Sequence, residues 1–260
     1  MALPDFLADF RLDGDVALVT GAGAGIGRIA SVALASVGAA IAVTDINEDA
    51  AKAVADEIVA AGGRARPYRL DVGDEASIID VVERAFTDFK RLDILVNNAG
   101  FTRRLPTETF PTEDWRRIVD VNLTGAFLAA REVGRHMLNA GSGRIINIAS
   151  IMGLSGGGLY PAIAYYSTKG ALVNFTRGLA AEWAGRGIRV NAIAPTFVRT
   201  QLTEKLREDA EMVRAIESRT PMGRFAEPEE MAGGILYLAS RASSMVTGHT
   251  LPIDGGWLAI

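Results

Sequence analysis

The sequence predicts an α/β fold of three layers, in which a doubly wound, seven-stranded, mainly parallel sheet carries helices on both faces. Short apolar segments alternate with helical segments along the chain, which favours this class. The apolar segments are not interleaved with polar residues, as expected for strands buried on both faces. The chain has 260 residues and no linker, repeat or low-complexity tract, so we expect one domain over residues 1–260.

The predicted elements follow one another in regular order. Strands are predicted at Val16–Thr20, Ala40–Thr44, Arg66–Leu70, Asp93–Val96, Arg144–Ala149, Ile188–Ile193 and Thr250–Ile253. Helices are predicted at Ile26–Val37, Glu48–Ala61, Glu75–Phe89, Thr112–Ala140, Ala164–Ala184 and Pro228–Ala239. Asn122 and Gly125 interrupt the long fourth region, which is therefore one helix or two. The polar segment Thr200–Arg219 is expected to form a helical lid.

Composition limits the possible chemistry. The chain has no cysteine and only two histidines, His136 and His249, which excludes disulfides and thiolates and leaves little for a metal site or a Ser-His-Asp triad. The net charge of −4 does not favour nucleic acid or an anionic membrane. Neither a signal peptide nor a membrane-spanning apolar run is recognisable. We expect a soluble, cytoplasmic protein with no metal and no nucleic-acid or membrane partner.

A glycine-rich loop, Thr20–Gly27, joins the first predicted strand to the first helix. Such a loop lets a pyrophosphate approach the backbone, and the helix N-terminus offers free N–H groups. Asp45 ends the next strand, where a carboxylate binds the ribose 2′-hydroxyl and repels a 2′-phosphate. Because Ile46 and Asn47 supply no cation for such a phosphate, we expect NAD rather than NADP. The alternatives are a flexible turn for the loop and a helix N-cap for Asp45.

Tyr165 and Lys169 are four residues apart at the start of a predicted helix. They therefore share a helix face, whereas Tyr166 is turned by about 100° from them. A nearby ammonium lowers the pKa of a tyrosine from its ordinary value of about 10 and makes the phenol a usable proton donor and acceptor. This spacing is also common on ordinary exposed helices, so the pair alone does not decide the function.

Taken together in their order and spacing, several motifs resemble the short-chain dehydrogenase/reductase superfamily from about Leu12 to Gly256. The matching segments are Thr20–Gly27, Asp71-Val72, Asn97-Asn98-Ala99-Gly100, Asn122, Ile146–Ser150, Tyr165–Lys169, Asn191–Pro195 and Asp254-Gly255-Gly256. The resemblance implies a Rossmann-type fold and an NAD-dependent oxidoreductase that transfers a hydride between NAD(H) and a secondary alcohol or ketone.

The resemblance also implies roles for individual residues. Ser150 would hydrogen-bond the substrate oxygen, and Tyr165 would be the general acid and base. Lys169 would hold the nicotinamide ribose and lower the pKa of Tyr165, and Asn122 would keep a water in a proton relay. The implied cofactor-binding residues are Gly21, Gly25, Ile26, Gly27, Asp45, Asp71, Val72, Asn98, Ala99, Gly100, Tyr165, Lys169, Pro195, Val198 and Thr200.

Two departures from the family pattern bear on the substrate. Ser150 and Tyr165 are 15 residues apart, more than is usual, which predicts an extra loop turn within Met152–Pro161. Thr196 follows Pro195 where the family usually has glycine, so its side chain is expected to shape the substrate pocket, and Met152 is a further candidate there.

The adjacent Arg103 and Arg104 follow the fourth strand at the expected mouth of the site. Arginine binds a carboxylate through two parallel hydrogen bonds, and gluconate 5-dehydrogenase-like enzymes of the superfamily carry a similar pair. The longer gap before Tyr165 also resembles galactitol dehydrogenase-like enzymes. We therefore expect a polyol or a sugar acid as substrate. The alternatives are solvated or intersubunit arginines, a 3-oxoacyl-thioester reductase, and a non-catalytic dinucleotide sensor.

The helices predicted at Thr112–Ala140 and Ala164–Ala184 carry apolar residues on more than one face. One face covers the sheet, and the other is expected to contact a second subunit. Members of the superfamily are commonly tetramers through these helices, so we expect a homotetramer. The C-terminal segment Trp257–Ile260 would suit a further interface, or it is buried under the lid of its own subunit.

Overall fold

The computed structural model describes residues 5–260. Seven strands form one sheet in the order β3-β2-β1-β4-β5-β6-β7, and every neighbouring pair is parallel. The strands are β1 (Val16–Thr20), β2 (Ala40–Asp45), β3 (Arg64–Arg69), β4 (Ile94–Asn97), β5 (Gly143–Ile148), β6 (Ile188–Pro195) and β7 (Thr250–Ile253). The predicted fold class is confirmed, and the sheet is wholly rather than mainly parallel. The chain reverses its direction of winding between β1 and β4, which is where such sheets bind ligands.

Helices cover both faces of this sheet. They are α1 (Gly25–Ser36), α2 (Glu48–Ala60), α3 (Glu75–Phe89), α4 (Thr112–Val119), α5 (Gly125–Ala140), α6 (Ile163–Trp183), α7 (Glu204–Arg207), α8 (Ala210–Arg219) and α9 (Ala232–Ala239). Apolar side chains of α1, α2 and α9 pack on one face, and those of α3, α5 and α6 pack on the other. This arrangement explains why the central strands are apolar without alternation.

A smaller apolar cluster lies beyond the carboxyl ends of the strands. It joins the turn after β5, the lid and the C-terminal segment through residues such as Met152, Phe197, Ile216 and Trp257. The predicted lid is helical, because a 3₁₀ turn at Gln201–Thr203 leads into α7 and α8. This shared cluster therefore packs the lid against the turn after β5 and the C-terminal segment.

Several element boundaries differ from the predicted ones. β3 begins at Arg64 rather than Arg66, because this edge strand exposes most of its side chains and has little apolar signal. The long region Thr112–Ala140 is divided by a π-helical turn at Asp120–Thr124. The helix predicted from Pro228 begins as a 3₁₀ turn at Pro228–Met231. Within residues 5–260, no helix has both the length and the apolar character required to cross a membrane.

Candidate active site

A cleft of about 960 Å³ opens at the carboxyl ends of the central strands. Most of the predicted site residues line it, namely Gly21, Gly25, Ile26, Asp45, Asp71, Val72, Asn98, Ala99, Gly100, Arg104, Ser150, Met152, Tyr165, Lys169, Pro195, Thr196, Val198 and Thr200. Gly27, Asn122 and Arg103 are not among its lining residues. Parallel strands bring these distant segments together because their carboxyl ends share one edge of the sheet.

The glycine loop is held in place by the segment that follows β4. The side-chain amide of Asn98 donates hydrogen bonds to the carbonyls of Thr20 and Gly21, at 2.9 and 2.8 Å. The Thr20 hydroxyl accepts hydrogen bonds from the backbone N–H groups of Asn98 and Ala99, at 3.0 and 3.1 Å. A Cβ atom at Gly27 would collide with the Gly21 carbonyl and lie 2.5 Å from Asn98 Nδ2. Gly27 therefore shapes the loop through packing.

The carboxylate of Asp45 faces the glycine loop. Its Oδ2 accepts a hydrogen bond from the N–H of Gly23, and its Oδ1 accepts one from the N–H of Asn47, both at 2.9 Å. The N-cap of α2 is Asn47, whose side chain accepts a hydrogen bond from Ala50 N–H at 3.2 Å. The alternative role of Asp45 as a helix cap is therefore wrong, and its charge lies beside the loop that turns into α1.

Ser150, Tyr165 and Lys169 lie together at the inner end of the cleft. Ser150 and Lys169 are buried, and Tyr165 is exposed only in part. Burial raises the pKa of Tyr165 to about 12, while the neighbouring Ser150 hydroxyl acts in the opposite direction. Burial likewise lowers the pKa of Lys169 to about 8. The net pKa shift at Tyr165 is thus opposite to the lowering that the resemblance implied. Burial of the phenolate raises this pKa by more than the neighbouring groups lower it.

The Lys169 side chain is held at its terminal nitrogen, close to Tyr165. Its Nζ donates a hydrogen bond of 2.6 Å to the Ile148 carbonyl and lies 5.6 Å from the centre of the Tyr165 ring. Tyr166 points elsewhere, as its position on α6 predicts, and its hydroxyl donates a hydrogen bond of 2.6 Å to the Tyr160 carbonyl. Tyr165 is therefore the tyrosine that faces the cleft beside Lys169.

Asn122 lies in the π-helical turn and contacts the loop after β4. Its Oδ1 accepts a hydrogen bond from the N–H of Phe101, and its Nδ2 donates one to the Phe101 carbonyl, both at 2.9 Å. A Cβ atom at Gly100 would lie 3.1 Å from Asn122 Oδ1 and 3.7 Å from Lys169 Nζ. The side chain of Asn122 thus holds the loop that carries Thr102 and Arg104 into the cleft.

The structure separates the two adjacent arginines. Arg103 forms an ion pair with Asp114 away from the cleft. Arg104 lines the cleft, donates a hydrogen bond of 3.1 Å to the Leu202 carbonyl and stacks on Tyr160, with its guanidinium carbon 4.9 Å from the ring centre.

Three polar atoms at this end of the cleft are buried with no hydrogen-bond partner among the described residues. They are Arg104 Nε, Thr102 Oγ1 and Thr196 Oγ1. Thr102, Tyr160 and Leu202 were not anticipated as lining residues. Tyr160 lies in the extra loop turn predicted before Tyr165, where an aromatic residue was the only available signal.

A family model described as Enoyl-(Acyl carrier protein) reductase matches residues 21–258. The chain belongs to the short-chain dehydrogenase/reductase superfamily. It is therefore an oxidoreductase that uses a nicotinamide dinucleotide, and the resemblance found in its sequence is confirmed.

Individual relatives of this short-chain dehydrogenase/reductase include enzymes of different substrate classes. A D-threitol dehydrogenase from Mycolicibacterium smegmatis is 43% identical over 249 residues, which cover 96% of this chain and 95% of the relative. A 3-oxoacyl-[acyl-carrier-protein] reductase from Thermotoga maritima is 41% identical over 247 residues, 95% of this chain and 98% of the relative. A gluconate 5-dehydrogenase from Burkholderia cenocepacia, solved in complex with NADP and tartrate, is 39% identical, with a TM-score of 0.95 and coverage of 98% and 100%.

The cleft of this short-chain dehydrogenase/reductase fits a dinucleotide. Gly25 begins α1 with a φ of +53°, and a Cβ atom there would lie 3.1 Å from Thr200 Cγ2 across the cleft. Because glycine has no Cβ atom at this position, the N–H groups at the N-terminus of α1 are open to a pyrophosphate. Asp45 and Asp71 line the cleft beyond β2 and β3, whereas Ser150 lines it beyond β5. The proposed adenosine-binding residues and the catalytic candidates are therefore separated along the edge of the sheet.

Proposed function

We propose that the enzyme interconverts a secondary alcohol and a ketone on a polyol or sugar acid, with a sugar acid as the better substrate. The supporting observation is Arg104, a cation that lies in the cleft, is held by Leu202 and Tyr160, and keeps a buried Nε–H without a partner. Guanidinium groups bind carboxylates strongly and directionally. Thr102 and Thr196 add two buried hydroxyls suited to the hydroxyl groups of such a substrate.

In the proposed reaction, Tyr165 transfers the proton. A bound nicotinamide dinucleotide would supply the hydride for reduction or accept it in oxidation. Because burial raises the pKa of Tyr165 to about 12, its phenol is protonated near neutral pH and can donate to a developing alkoxide oxygen. The Ser150 hydroxyl, which lies in the cleft beside Tyr165, would orient the same oxygen. Oxidation of the alcohol is the reverse of these proton movements.

Lys169 and Asn122 support this chemistry. Lys169 Nζ is 5.6 Å from the centre of the Tyr165 ring, and when protonated it would help to stabilise negative charge on the Tyr165 oxygen. Lys169 also lines the cleft, where it could hold a ribose. Asn122 holds the Phe101 backbone, which fixes the loop leading to Arg104. We further propose that Asn122 holds a water of the proton relay. Its position beside Gly100 and Lys169 is suitable for this role.

For the cofactor we propose NAD rather than NADP. The Asp45 carboxylate lies against the glycine loop and would repel a 2′-phosphate. The solved gluconate 5-dehydrogenase relative holds NADP, so the choice depends on Asp45 and its neighbours in this chain. The exposed residues that follow, Ile46 and Asn47, bring no positive charge. The 3-oxoacyl-thioester reductase alternative is less favoured, since a charged Arg104 suits a carboxylate better than a neutral thioester.

We further propose that residues 1–260 act as one dinucleotide-binding and catalytic domain, and that the protein is a cytoplasmic homotetramer. Trp115 on α4 and Phe127 on α5 are 38% and 45% exposed, large apolar side chains that an interface would cover. Of the C-terminal segment expected to form a further interface, Trp257 is buried within its own chain and Ile260 is exposed. We therefore propose that Ile260, and not Trp257, contributes to such an interface. Light scattering coupled to size-exclusion chromatography tests the tetramer directly.

The substrate proposal is tested with a panel that pairs each sugar acid with the polyol of the same carbon skeleton and adds a 3-oxoacyl thioester. We expect the highest kcat/KM for a sugar acid. A 3-oxoacyl thioester as the best substrate, or equal rates for acids and their matched polyols, would overturn the proposed class.

A further inference from the structure

The segment 154–162, which we call the substrate loop, carries Tyr160 into the cleft between the turn Ile151–Gly153 and helix α6. Two contacts fasten it to its own flanks. The Ser155 hydroxyl donates a hydrogen bond of 3.0 Å to the Ile151 carbonyl, and the Tyr166 hydroxyl donates one of 2.6 Å to the Tyr160 carbonyl. The position of the Tyr160 ring therefore depends on how this loop is held.

A third contact reaches the substrate loop from the lid. Arg219 Nη1 donates a hydrogen bond of 2.9 Å to the carbonyl of Gly157. Gly157 is buried, has a φ of +70°, and would bring a Cβ atom within 2.8 Å of the Tyr166 ring. The loop backbone is thus pressed against α6 at the same residue that accepts the arginine. Gly156 and Gly158 on either side are exposed, so Gly157 is the buried residue of this glycine run.

The position of Arg219 is fixed by its helix and by an aromatic neighbour. It is the last residue of α8, and its guanidinium carbon lies 4.7 Å from the centre of the buried Trp257 ring. Just after α8, the N–H of Met222 donates a hydrogen bond of 3.0 Å to the carbonyl of Gly255. The C-terminal end of the lid is therefore tied to the turn after β7, and an arginine held on an aromatic ring loses little freedom when it forms a further bond.

The opposite end of the lid is also connected to the cleft. Leu202 accepts the hydrogen bond from Arg104, and Arg104 stacks on Tyr160. A continuous series of contacts thus passes from the start of the lid through Arg104 and Tyr160 to the substrate loop, and returns to the end of the lid through Arg219. We propose that Arg219 is a positioning residue, which sets substrate affinity by fixing the loop that places Tyr160 against Arg104.

This role does not require Arg219 to touch the reacting atoms. Its loss should release Gly157, let the substrate loop sample other positions and leave Tyr160 displaced for part of the time. Binding of any substrate that contacts Tyr160 and Arg104 would then include the cost of ordering the loop again. Tyr165 and Lys169 belong to helix α6, and Lys169 is also held by the Ile148 carbonyl. The expected effect is therefore on KM rather than on kcat.

The kinetic test compares Arg219→Met, which keeps length but removes the donors, with Arg219→Lys, which keeps a charged donor. Arg214→Met, an exposed position on the same helix, is the matched control. We expect Arg219→Met to raise KM about tenfold, the size of one lost hydrogen bond from a charged group, with little change in kcat or in the Kd for NADH. Arg219→Lys should recover part of that loss, and Arg214→Met should behave as wild type.

Hydrogen exchange of the enzyme supplies a readout that needs no substrate. Faster exchange in residues 154–162 is expected in Arg219→Met and not in Arg214→Met. Unchanged exchange in this loop, an unchanged KM, or a loss confined to kcat would overturn the role of Arg219. If Arg219→Met does not fold, Arg219→Gln takes its place in both measurements. The hydrogen-exchange result needs no substrate, so it tests the role of Arg219 even if the sugar-acid proposal fails.

Discussion

Asp45 and Gly23 are joined by a hydrogen bond of 2.9 Å between the carboxylate Oδ2 and the backbone N–H. A Cβ atom at Gly23 would lie only 2.9 Å from the same oxygen, so the carboxylate lies directly against the backbone of the loop. The group proposed to select NAD therefore also fastens the loop that would hold its pyrophosphate. Exchange of cofactor preference by mutation of Asp45 should carry a cost in binding for both cofactors.

Asp45→Ala is accordingly expected to reduce the ratio of kcat/KM for NAD to that for NADP by about tenfold or more, since one charge-assisted hydrogen bond is lost and a repulsive charge is removed. The Kd for NADH, measured by fluorescence, should also rise. Asp49→Ala, an exposed change in the first turn of α2, is the control. A wild-type enzyme that prefers NADP would contradict the role given to Asp45.

Arg104→Met and Arg103→Met form a matched pair for the proposed carboxylate site. Arg104 lines the cleft, whereas Arg103 is paired with Asp114. Loss of a guanidinium–carboxylate contact should raise the KM for a sugar acid by roughly tenfold to a hundredfold, with a smaller effect on the matched polyol. Arg103→Met should have little effect on the KM for the sugar acid or for the polyol. Equal effects of the two substitutions would show that the difference in their positions has no bearing on binding.

Gly27→Ala should destabilise the enzyme by about 1–3 kcal/mol, the usual cost of forcing an extra carbon into a packed region. The added Cβ would collide with the Gly21 carbonyl and crowd Asn98. Gly233→Ala is the control, because nothing lies within 4 Å of a Cβ atom there and alanine is a better helix former. Chemical denaturation of both variants measures the difference. Equal stability would show that α1 does not need this close approach.

Lys169 should give the enzyme a distinctive pH dependence of stability. Burial lowers its pKa from 10.5 to about 8 in the folded state, so the unfolded chain binds more protons between these values. The free energy of unfolding should therefore rise with pH from about 8 towards 10, relative to a Lys169→Met variant. Denaturation curves at several pH values test this. If the difference in free energy of unfolding between wild type and Lys169→Met does not change with pH, the lowered pKa of Lys169 is contradicted. A difference that falls as the pH rises would mean that the pKa of Lys169 is raised in the folded state.

The sequence predicted the central strands well because each is an apolar run buried on both faces. The edge strand β3 was placed less accurately, since Tyr68 is its one buried residue. The grouping of the motif residues in one site could be predicted without coordinates, because parallel strands place their carboxyl ends at one edge of the sheet. The separation of Arg103 from Arg104 could not, because it depends on Asp114 from another segment.

Other features of the site also depend on contacts between distant segments. Gly27 was predicted to bind the cofactor, and only its closeness to Gly21 and Asn98 shows that it also governs packing. Tyr160 enters the cleft because Tyr166 holds its carbonyl, a contact that helix periodicity does not predict. The pKa of Tyr165 was expected to fall beside Lys169, but the degree of enclosure that raises it is a property of the folded site.

The most direct test of the account is the turnover of Tyr165→Phe, with Tyr166→Phe as the matched control on the same helix. Removal of the general acid and base should lower kcat by at least about a hundredfold, while the Kd for NADH stays near that of the wild type. Tyr166→Phe should retain turnover and alter mainly KM, because its hydroxyl holds the Tyr160 carbonyl. A Tyr165→Phe enzyme with turnover close to wild type would contradict the assignment of proton transfer to Tyr165.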